Sequence, residues 1–183
     1  MLGYLVFGVS VAWFLVEGRL LGVRRTSARP RFLQNRRPAL WGALMLAAAS
    51  VGPVDRLLGR SPPPPSLALA GAALVVAGVA LRTVAICALG SAFSFTVGVD
   101  AGQRLVRTGV YRRLRHPSYA AAVLAFTGCE LATGSWLGLG AVMAFCALYY
   151  PPRIAFEERE LSRAFPEYAA YQRESWRLLP FLY

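Results

Sequence analysis

The stretch from Leu67 to Leu89, LALAGAALVVAGVALRTVAICAL, decides the fold. A helix needs roughly 20 apolar residues to cross the roughly 30 Å hydrocarbon core of a bilayer, and this run is long enough. Gly71, Gly78 and the repeated alanines predict close contact with a neighbouring helix. Arg82 lies near the inner end, where it can extend to the membrane surface or face a polar cavity, and we expect the first. The run predicts a membrane-spanning helix.

The composition places the whole chain in the membrane class. Among 183 residues, 56% are hydrophobic and 16% are charged, and the mean hydropathy is +0.46. The net charge of +11 arises from arginines in loops between apolar runs, which orient a membrane protein rather than bind nucleic acid. Cys87, Cys129 and Cys146 lack the spacing of metal ligands, so we expect packing residues and no metal site. The prediction is an all-α integral membrane protein with about five transmembrane helices.

Four further apolar runs complete the predicted set of helices. They are Leu2 to Leu21, Ala39 to Leu58, Tyr119 to Ala132, and Trp136 to Tyr150. The last two form a predicted hairpin, and at about 1.5 Å per residue each is somewhat short for a full crossing.

The charges between the runs predict the orientation in the membrane. Arginines follow the first run instead of preceding it, which favours an uncleaved helix with the N-terminus outside and the C-terminus in the cytoplasm. Pro62 to Pro65 predict an external turn. Pro151-Pro152 are expected to end the fifth span and to begin a new cytoplasmic helix. An alanine-rich chain with arginine as its basic residue suggests a high-GC bacterial genome and a plasma-membrane location.

The string Arg115-His116-Pro117-Ser118-Tyr119 places the single histidine of the chain where a basic loop meets an apolar run. One interpretation is a proline at the first turn of a helix with aromatic residues at the membrane interface. The other is a site for a polar cofactor. Gly109 predicts a turn that brings Tyr111 close to the string, and this favours a site.

A second group of polar residues follows the two prolines. Arg153, Glu157 and Leu161 recur every four residues, so they share one face of a helix. An ordinary helical ion pair is one interpretation, but arginine in a first turn opposes the helix dipole. Because a guanidinium matches a carboxylate and a glutamate accepts from hydroxyl or amine groups, we interpret this face as a binding surface.

Together these motifs resemble the isoprenylcysteine carboxyl methyltransferase family, whose wider group includes membrane phospholipid N-methyltransferases. The resemblance extends from about Gly90 to the end of the chain. The matching elements are Leu105-Val106, Gly109-Val110-Tyr111, Arg115 to Tyr119, Arg153 with Glu157-Glu158 and Leu161, and Phe165, Tyr168 and Tyr171. The apolar runs predict three N-terminal transmembrane helices with an Arg-rich cytoplasmic loop over residues 1–89, and the resemblance implies a methyltransferase catalytic region over residues 90–183.

The resemblance also implies a cofactor and a role for each matching residue. The cofactor is S-adenosylmethionine, held in a cytoplasmic pocket that opens toward lipid. Catalytic roles fall to Arg153 and Glu157, and Arg153 would bind the acceptor. The implied cofactor-binding residues are Leu105, Val106, Tyr111, His116, Pro117, Ser118, Tyr119 and Glu157. The chain departs from the family pattern at Gln103, Arg104 and Pro166.

The acceptor implied by the resemblance is lipophilic and enters from the bilayer. Carboxyl O-methylation of a prenylcysteine-like or other anionic lipid-like substrate is the leading prediction. The alternatives of the same fold are phospholipid or amine N-methylation and thiol S-methylation, which need a base such as His116 or Glu157. A nicotinamide-dependent membrane reductase of sterol-like lipids and a non-catalytic scaffold or transporter are the alternatives outside methyl transfer.

Overall fold

The computed structural model describes residues 3–5, 7, 8, 12, 38–93 and 102–180. The regular secondary structure in these ranges is helical, apart from an isolated bridge between Leu114 and Trp176, and turns and irregular segments connect the helices. This confirms the all-α prediction. The predicted run from Leu2 to Leu21 falls mostly outside the described residues, and so does the arginine-rich loop that follows it.

The helices occupy the predicted apolar runs. For the second, third and fourth runs the observed bounds agree with the prediction to within two residues at each end. The described elements are α1 (Pro38–Leu57), α2 (Pro65–Leu89), the 3-10 turns Gly90–Ala92 and Gly109–Arg112, α3 (Pro117–Thr133), α4 (Trp136–Ala164) and α5 (Tyr168–Glu174). Among them, α2 and α4 are long and apolar enough to cross a membrane. The total number of spans and the boundary at residue 89 remain predictions.

The prediction that Pro151-Pro152 end a helix is wrong. Helix α4 continues through both prolines to Ala164. A proline inside a helix removes a backbone hydrogen bond, at a cost of about 3 kcal/mol. Here both prolines lie on the exposed face, while Tyr150 and Ile154 on the opposite face are buried at 4% and 0% exposure. Because packing holds that face, one continuous helix joins the apolar span to the polar residues that follow it.

Helices α2 and α3 pack with their backbones in close contact, as the glycines predicted. A Cβ atom placed on Gly128 would lie 2.6 Å from the carbonyl oxygen of Gly71 and 2.8 Å from the backbone nitrogen of Val75. A Cβ atom on Gly78 would lie 2.7 Å from the carbonyl oxygen of Ala121. Since these neighbours are backbone atoms, no side chain can turn away to make room.

We expect Gly128→Ala to lower the free energy of unfolding by about 1–3 kcal/mol, because the added methyl group overpacks the contact between α2 and α3. Thermal unfolding of the purified protein in detergent measures the change. Gly140→Ala in α4 is the matched control, since no atom of the described residues outside its own helical backbone lies within 4 Å of its Cβ position. An unchanged midpoint for Gly128→Ala would contradict the packing described here.

The expectation that Arg82 extends to the membrane surface is wrong. Its side chain is buried, with 8% exposure. One guanidinium nitrogen donates to the Ser118 hydroxyl at 2.9 Å and to the Ser118 carbonyl at 3.2 Å. The arginine is therefore directed into the protein, and it ties α2 to the first turn of α3.

A buried carboxylate lies within α3 at the end opposite to the histidine. Glu130 is completely buried. Beside it the backbones of α4 and α1 approach closely, since a Cβ atom on Gly138 would lie 2.9 Å from the backbone nitrogen of Gly52. These two glycines, from α4 and α1, leave the space that the carboxylate fills. Nearby, Ser135 caps α4 through Gly138 and donates to Asp55 at 2.8 Å. The hydrogen bond from Ser135 to Asp55 fixes the α3–α4 hairpin against α1.

Candidate functional site

A pocket lies where α2 ends and α3 begins, against the second half of α4. It encloses about 920 Å³ including its open mouth. Its wall has four parts: the end of α2 with Ala92 and Phe93, the segment 103–106 with Tyr111, the start of α3 without Pro117 (Arg115, His116, Ser118 and Tyr119), and residues between Arg153 and Tyr171. Motifs that are far apart in sequence thus meet around one space.

His116 forms part of this wall at the start of α3. Pro117 occupies the first turn, where a proline costs no helical hydrogen bond, and His116 is the preceding residue. The imidazole is buried at 4% exposure and lies parallel to the Tyr119 ring, with 5.4 Å between centroids. Its Nδ1 is 3.8 Å from Glu157 Oε2, and its Nε2 is 3.4 Å from Glu158 Oε1. The histidine therefore lies between the carboxylates of Glu157 and Glu158.

Tyr119 connects the two polar residues of α4 that the sequence singled out. Its hydroxyl donates to Glu157 Oε2 at 2.6 Å and accepts from Arg153 Nε at 2.9 Å. The Arg153 guanidinium also lies over the rings of Tyr119 and Tyr149, at 5.7 Å and 5.6 Å from their centroids. Aromatic faces and a hydrogen bond thus orient this cation at the end of the apolar part of α4.

The terminal aromatic residues close another side of the pocket. Phe165, Tyr168 and Tyr171 form a buried cluster against which Leu105 and Leu161 pack. The Tyr171 hydroxyl donates to the carbonyl oxygen of Tyr111. Burial raises the pKa of Tyr171 to about 12, and it also raises the pKa of the Tyr111 and Tyr168 phenols above their usual range. These hydroxyls therefore stay protonated at neutral pH and can donate hydrogen bonds.

The structure brings together nearly all residues that the sequence predicted for the site. The predicted residues that line the pocket are Leu105, Val106, Tyr111, His116, Ser118, Tyr119, Arg153 and Glu157. Pro117 does not line it and instead shapes the first turn of α3. Gln103 and Arg104, where the sequence departs from the family pattern, do line the pocket.

Sequence reasoning assigned no role to Arg115, Glu158 or Glu160. Arg115 and Glu160 line the pocket, whereas Glu158 lies behind it and accepts from Arg115 Nε at 2.7 Å. The available signal was the pair of adjacent glutamates in a chain with a net charge of +11. The pair indicated that acidic side chains have a role in this part of the chain, but not which of the two glutamates faces the pocket.

Comparison with known proteins assigns a family to this arrangement. The family profile described as phospholipid methyltransferase matches residues 67–168, which include most of α2 and all of α3 and α4. A solved structure of a eukaryotic intramembrane Ras methyltransferase, an isoprenylcysteine carboxyl methyltransferase, superposes with a TM-score of 0.70 at 22% identity. The match covers 100% of this chain and 68% of that one, and it shows the same fold.

Curated relatives match between 43% and 61% of the chain. The protein-S-isoprenylcysteine O-methyltransferase of Saccharomyces cerevisiae is 32% identical over 115 residues, covering 61% of this chain and 48% of that protein. The cobalt-zinc-cadmium resistance protein CzcN of Cupriavidus metallidurans is 42% identical over 79 residues, covering 43% of this chain and 36% of that protein. A probable protein-S-isoprenylcysteine O-methyltransferase of Oryza sativa subsp. indica is 27% identical over 115 residues. The matched part therefore spans roughly a third to three fifths of these relatives.

Proposed function

Because the chain belongs to the phospholipid methyltransferase family, we propose that it transfers the methyl group of S-adenosylmethionine to a lipophilic acceptor that enters from the bilayer. The observation that carries this proposal is the chain of contacts from Arg153 through Tyr119 to Glu157, at the junction of an apolar span and a polar pocket. A water-soluble cofactor and a membrane-embedded acceptor would have to meet at such a junction.

The chemistry of the pocket wall fits S-adenosylmethionine. Glu157 offers a carboxylate to the amino group of the cofactor, and Arg104 or Arg115 offers a cation to its carboxylate. Tyrosine faces suit both a flat base and a sulfonium cation. The proposed cofactor site also contains Leu105, Val106, Tyr111, His116, Ser118 and Tyr119. When bound, the cofactor supplies an activated methyl group.

Arg153 is proposed to orient the acceptor. Its planar guanidinium can hold a carboxylate in two parallel hydrogen bonds, and the apolar part of α4 leads directly to it. An anionic acceptor, such as a prenylcysteine-like carboxylate, therefore fits best. In that reaction a carboxylate oxygen bonds to the methyl carbon, while the bond between methyl carbon and sulfur breaks and its electron pair stays on sulfur.

A carboxylate acceptor requires no general base, so the pocket acts by alignment and by exclusion of water. The residues around it are suited to this, since Tyr119 and Arg153 are held by several contacts each. N-methylation of an amine headgroup is the second candidate, which the family description favours. That reaction would need a proton acceptor, and Glu157, which lines the pocket and accepts from the Tyr119 hydroxyl, is proposed for that role.

The proposed location is the plasma membrane, with the pocket on the cytoplasmic side. The arginines between Gly102 and Pro117 support this orientation, because positively charged loops remain in the cytoplasm. The N-terminus would lie outside and the C-terminus inside.

Incubation of membranes containing the protein with methyl-labelled S-adenosylmethionine tests the proposed function. We expect label in a lipid-soluble product and release of that label as methanol by mild base, since esters are base-labile and methylamines are not. Membranes of the same host without the protein serve as the control. Label that survives base would favour the N-methylation candidate, and a lack of label above the control would contradict methyl transfer.

A further inference from the structure

Glu158 lies outside the pocket, yet it contacts residues from three parts of the chain. Its side chain has 5% exposure, and Oε1 accepts from Arg115 Nε at 2.7 Å. The same oxygen is 3.4 Å from His116 Nε2. The other oxygen, Oε2, accepts from Arg177 Nε at 3.1 Å and from Gln172 Nε2 at 3.5 Å. One buried carboxylate thus joins α4, the start of α3 and residues 172–177, which form the C-terminal segment.

The C-terminal segment is also joined to the histidine string through its backbone. The Arg115 nitrogen donates to the Trp176 carbonyl at 2.8 Å, and the His116 nitrogen donates to the Arg177 carbonyl at 3.0 Å. In return, the Trp176 nitrogen donates to the Arg113 carbonyl at 2.9 Å. The Arg115 guanidinium donates to the Gln172 carbonyl at 3.0 Å. Residues 172–177 therefore form the outer support of Arg115 and His116.

A buried carboxylate is costly unless its charge is paired and its oxygens accept hydrogen bonds. Each carboxylate oxygen of Glu158 has a cationic hydrogen-bond donor only while Arg115 lies beside Oε1 and Arg177 lies beside Oε2. If the C-terminal segment moved away, one oxygen would lose its cation and His116 would lose a backbone partner. The position of the segment and the position of the histidine are therefore coupled through this carboxylate.

We propose that Glu158 is a positioning residue that latches residues 172–177 onto Arg115 and His116, and thereby holds the histidine in the pocket wall. The carboxylate itself contacts neither cofactor nor acceptor. The consequence for cofactor affinity rests on the proposed function, whereas the latch itself does not. The C-terminal segment then supports the cofactor-binding wall of the pocket from its outer side.

The test uses the full-length protein in detergent and four variants. Glu158→Gln removes the charge with little change in shape, and Arg177→Ala removes its partner. Arg177→Lys keeps a cation at this position. Arg173→Ala is the control, because Arg173 is an exposed arginine of the same segment. We expect the first two variants to lower S-adenosylmethionine affinity roughly tenfold, as for a lost hydrogen bond to a charged group, and to speed amide hydrogen exchange in residues 172–177. The last two variants are expected to stay close to wild type.

The double variant Glu158→Gln/Arg177→Ala distinguishes a latch from general destabilisation. In a latch the second substitution adds little to the first, whereas independent defects add. Additive losses, unchanged affinity, or unchanged hydrogen exchange in the two single variants would each overturn the proposal. If Glu158→Gln fails to fold, Arg177→Ala decides the outcome. If the wild-type protein binds no S-adenosylmethionine, the proposed function fails, and hydrogen exchange still tests the latch.

Discussion

Arg153→Ala is expected to lower kcat/KM for methyl transfer to an anionic acceptor roughly 100-fold, with a much smaller effect on S-adenosylmethionine affinity. The Arg153 guanidinium is buried, donates a hydrogen bond to the Tyr119 hydroxyl and lies at the end of the apolar part of α4. Its loss would leave an acceptor carboxylate without a partner and out of line with the methyl group. Steady-state kinetics and calorimetric titration of the cofactor measure the two effects separately.

Two further variants make this prediction specific. Arg153→Lys keeps the charge but loses the planar pair of donors, so we expect an intermediate loss. Arg159→Ala is the matched control, because this arginine is exposed on the same helix and donates to the Ala155 carbonyl at 3.1 Å. A parallel fall of cofactor affinity and kcat/KM in Arg153→Ala would show that the arginine serves the cofactor instead.

His116→Ala and Glu157→Ala are expected to weaken S-adenosylmethionine binding by roughly 10- to 100-fold, as for the loss of a hydrogen bond to a charged group. His116 packs against Tyr119, whose hydroxyl is bonded to Glu157, so each substitution disturbs the same wall of the pocket. Isothermal titration in detergent measures the affinity directly.

Charge and shape can be separated at Glu157. Glu157→Gln keeps the volume and an acceptor oxygen, so a loss similar to that of Glu157→Ala would show that the negative charge matters. Glu174→Gln, at an exposed position in α5, is the control. Unchanged affinity in both His116→Ala and Glu157→Ala would contradict the assignment of the cofactor site.

The sequence predicted the helices well because the features that make them are local. A run such as Leu67 to Leu89 is long, apolar and nearly free of charge, and Gly134 and Ser135 provide C-cap and N-cap residues within a few positions. The resemblance to a methyltransferase family was also readable, since its motifs are contiguous strings. The family profile and the matching fold confirm it.

The wrong predictions concern residues whose environment depends on distant parts of the chain. Pro151-Pro152 suggest a break, but Tyr150 and Ile154 on the other face are packed tightly enough to hold the helix together. Arg82 suggests an exposed cation, but Ser118, 36 positions away, accepts its hydrogen bonds. Local propensity cannot reveal such partners.

The sequence by itself determined the class of protein, the bounds of α1, α2 and α3 and the motifs that surround the pocket, because hydrophobic length, caps and contiguous motifs need only neighbouring residues. Only the tertiary structure decided that Glu157 faces the pocket while Glu158 faces away from it. These adjacent carboxylates are chemically identical, and they differ only in what packs against them. Arg115 and Arg177, which lie 43 and 19 positions from Glu158, reach it only once the chain has folded.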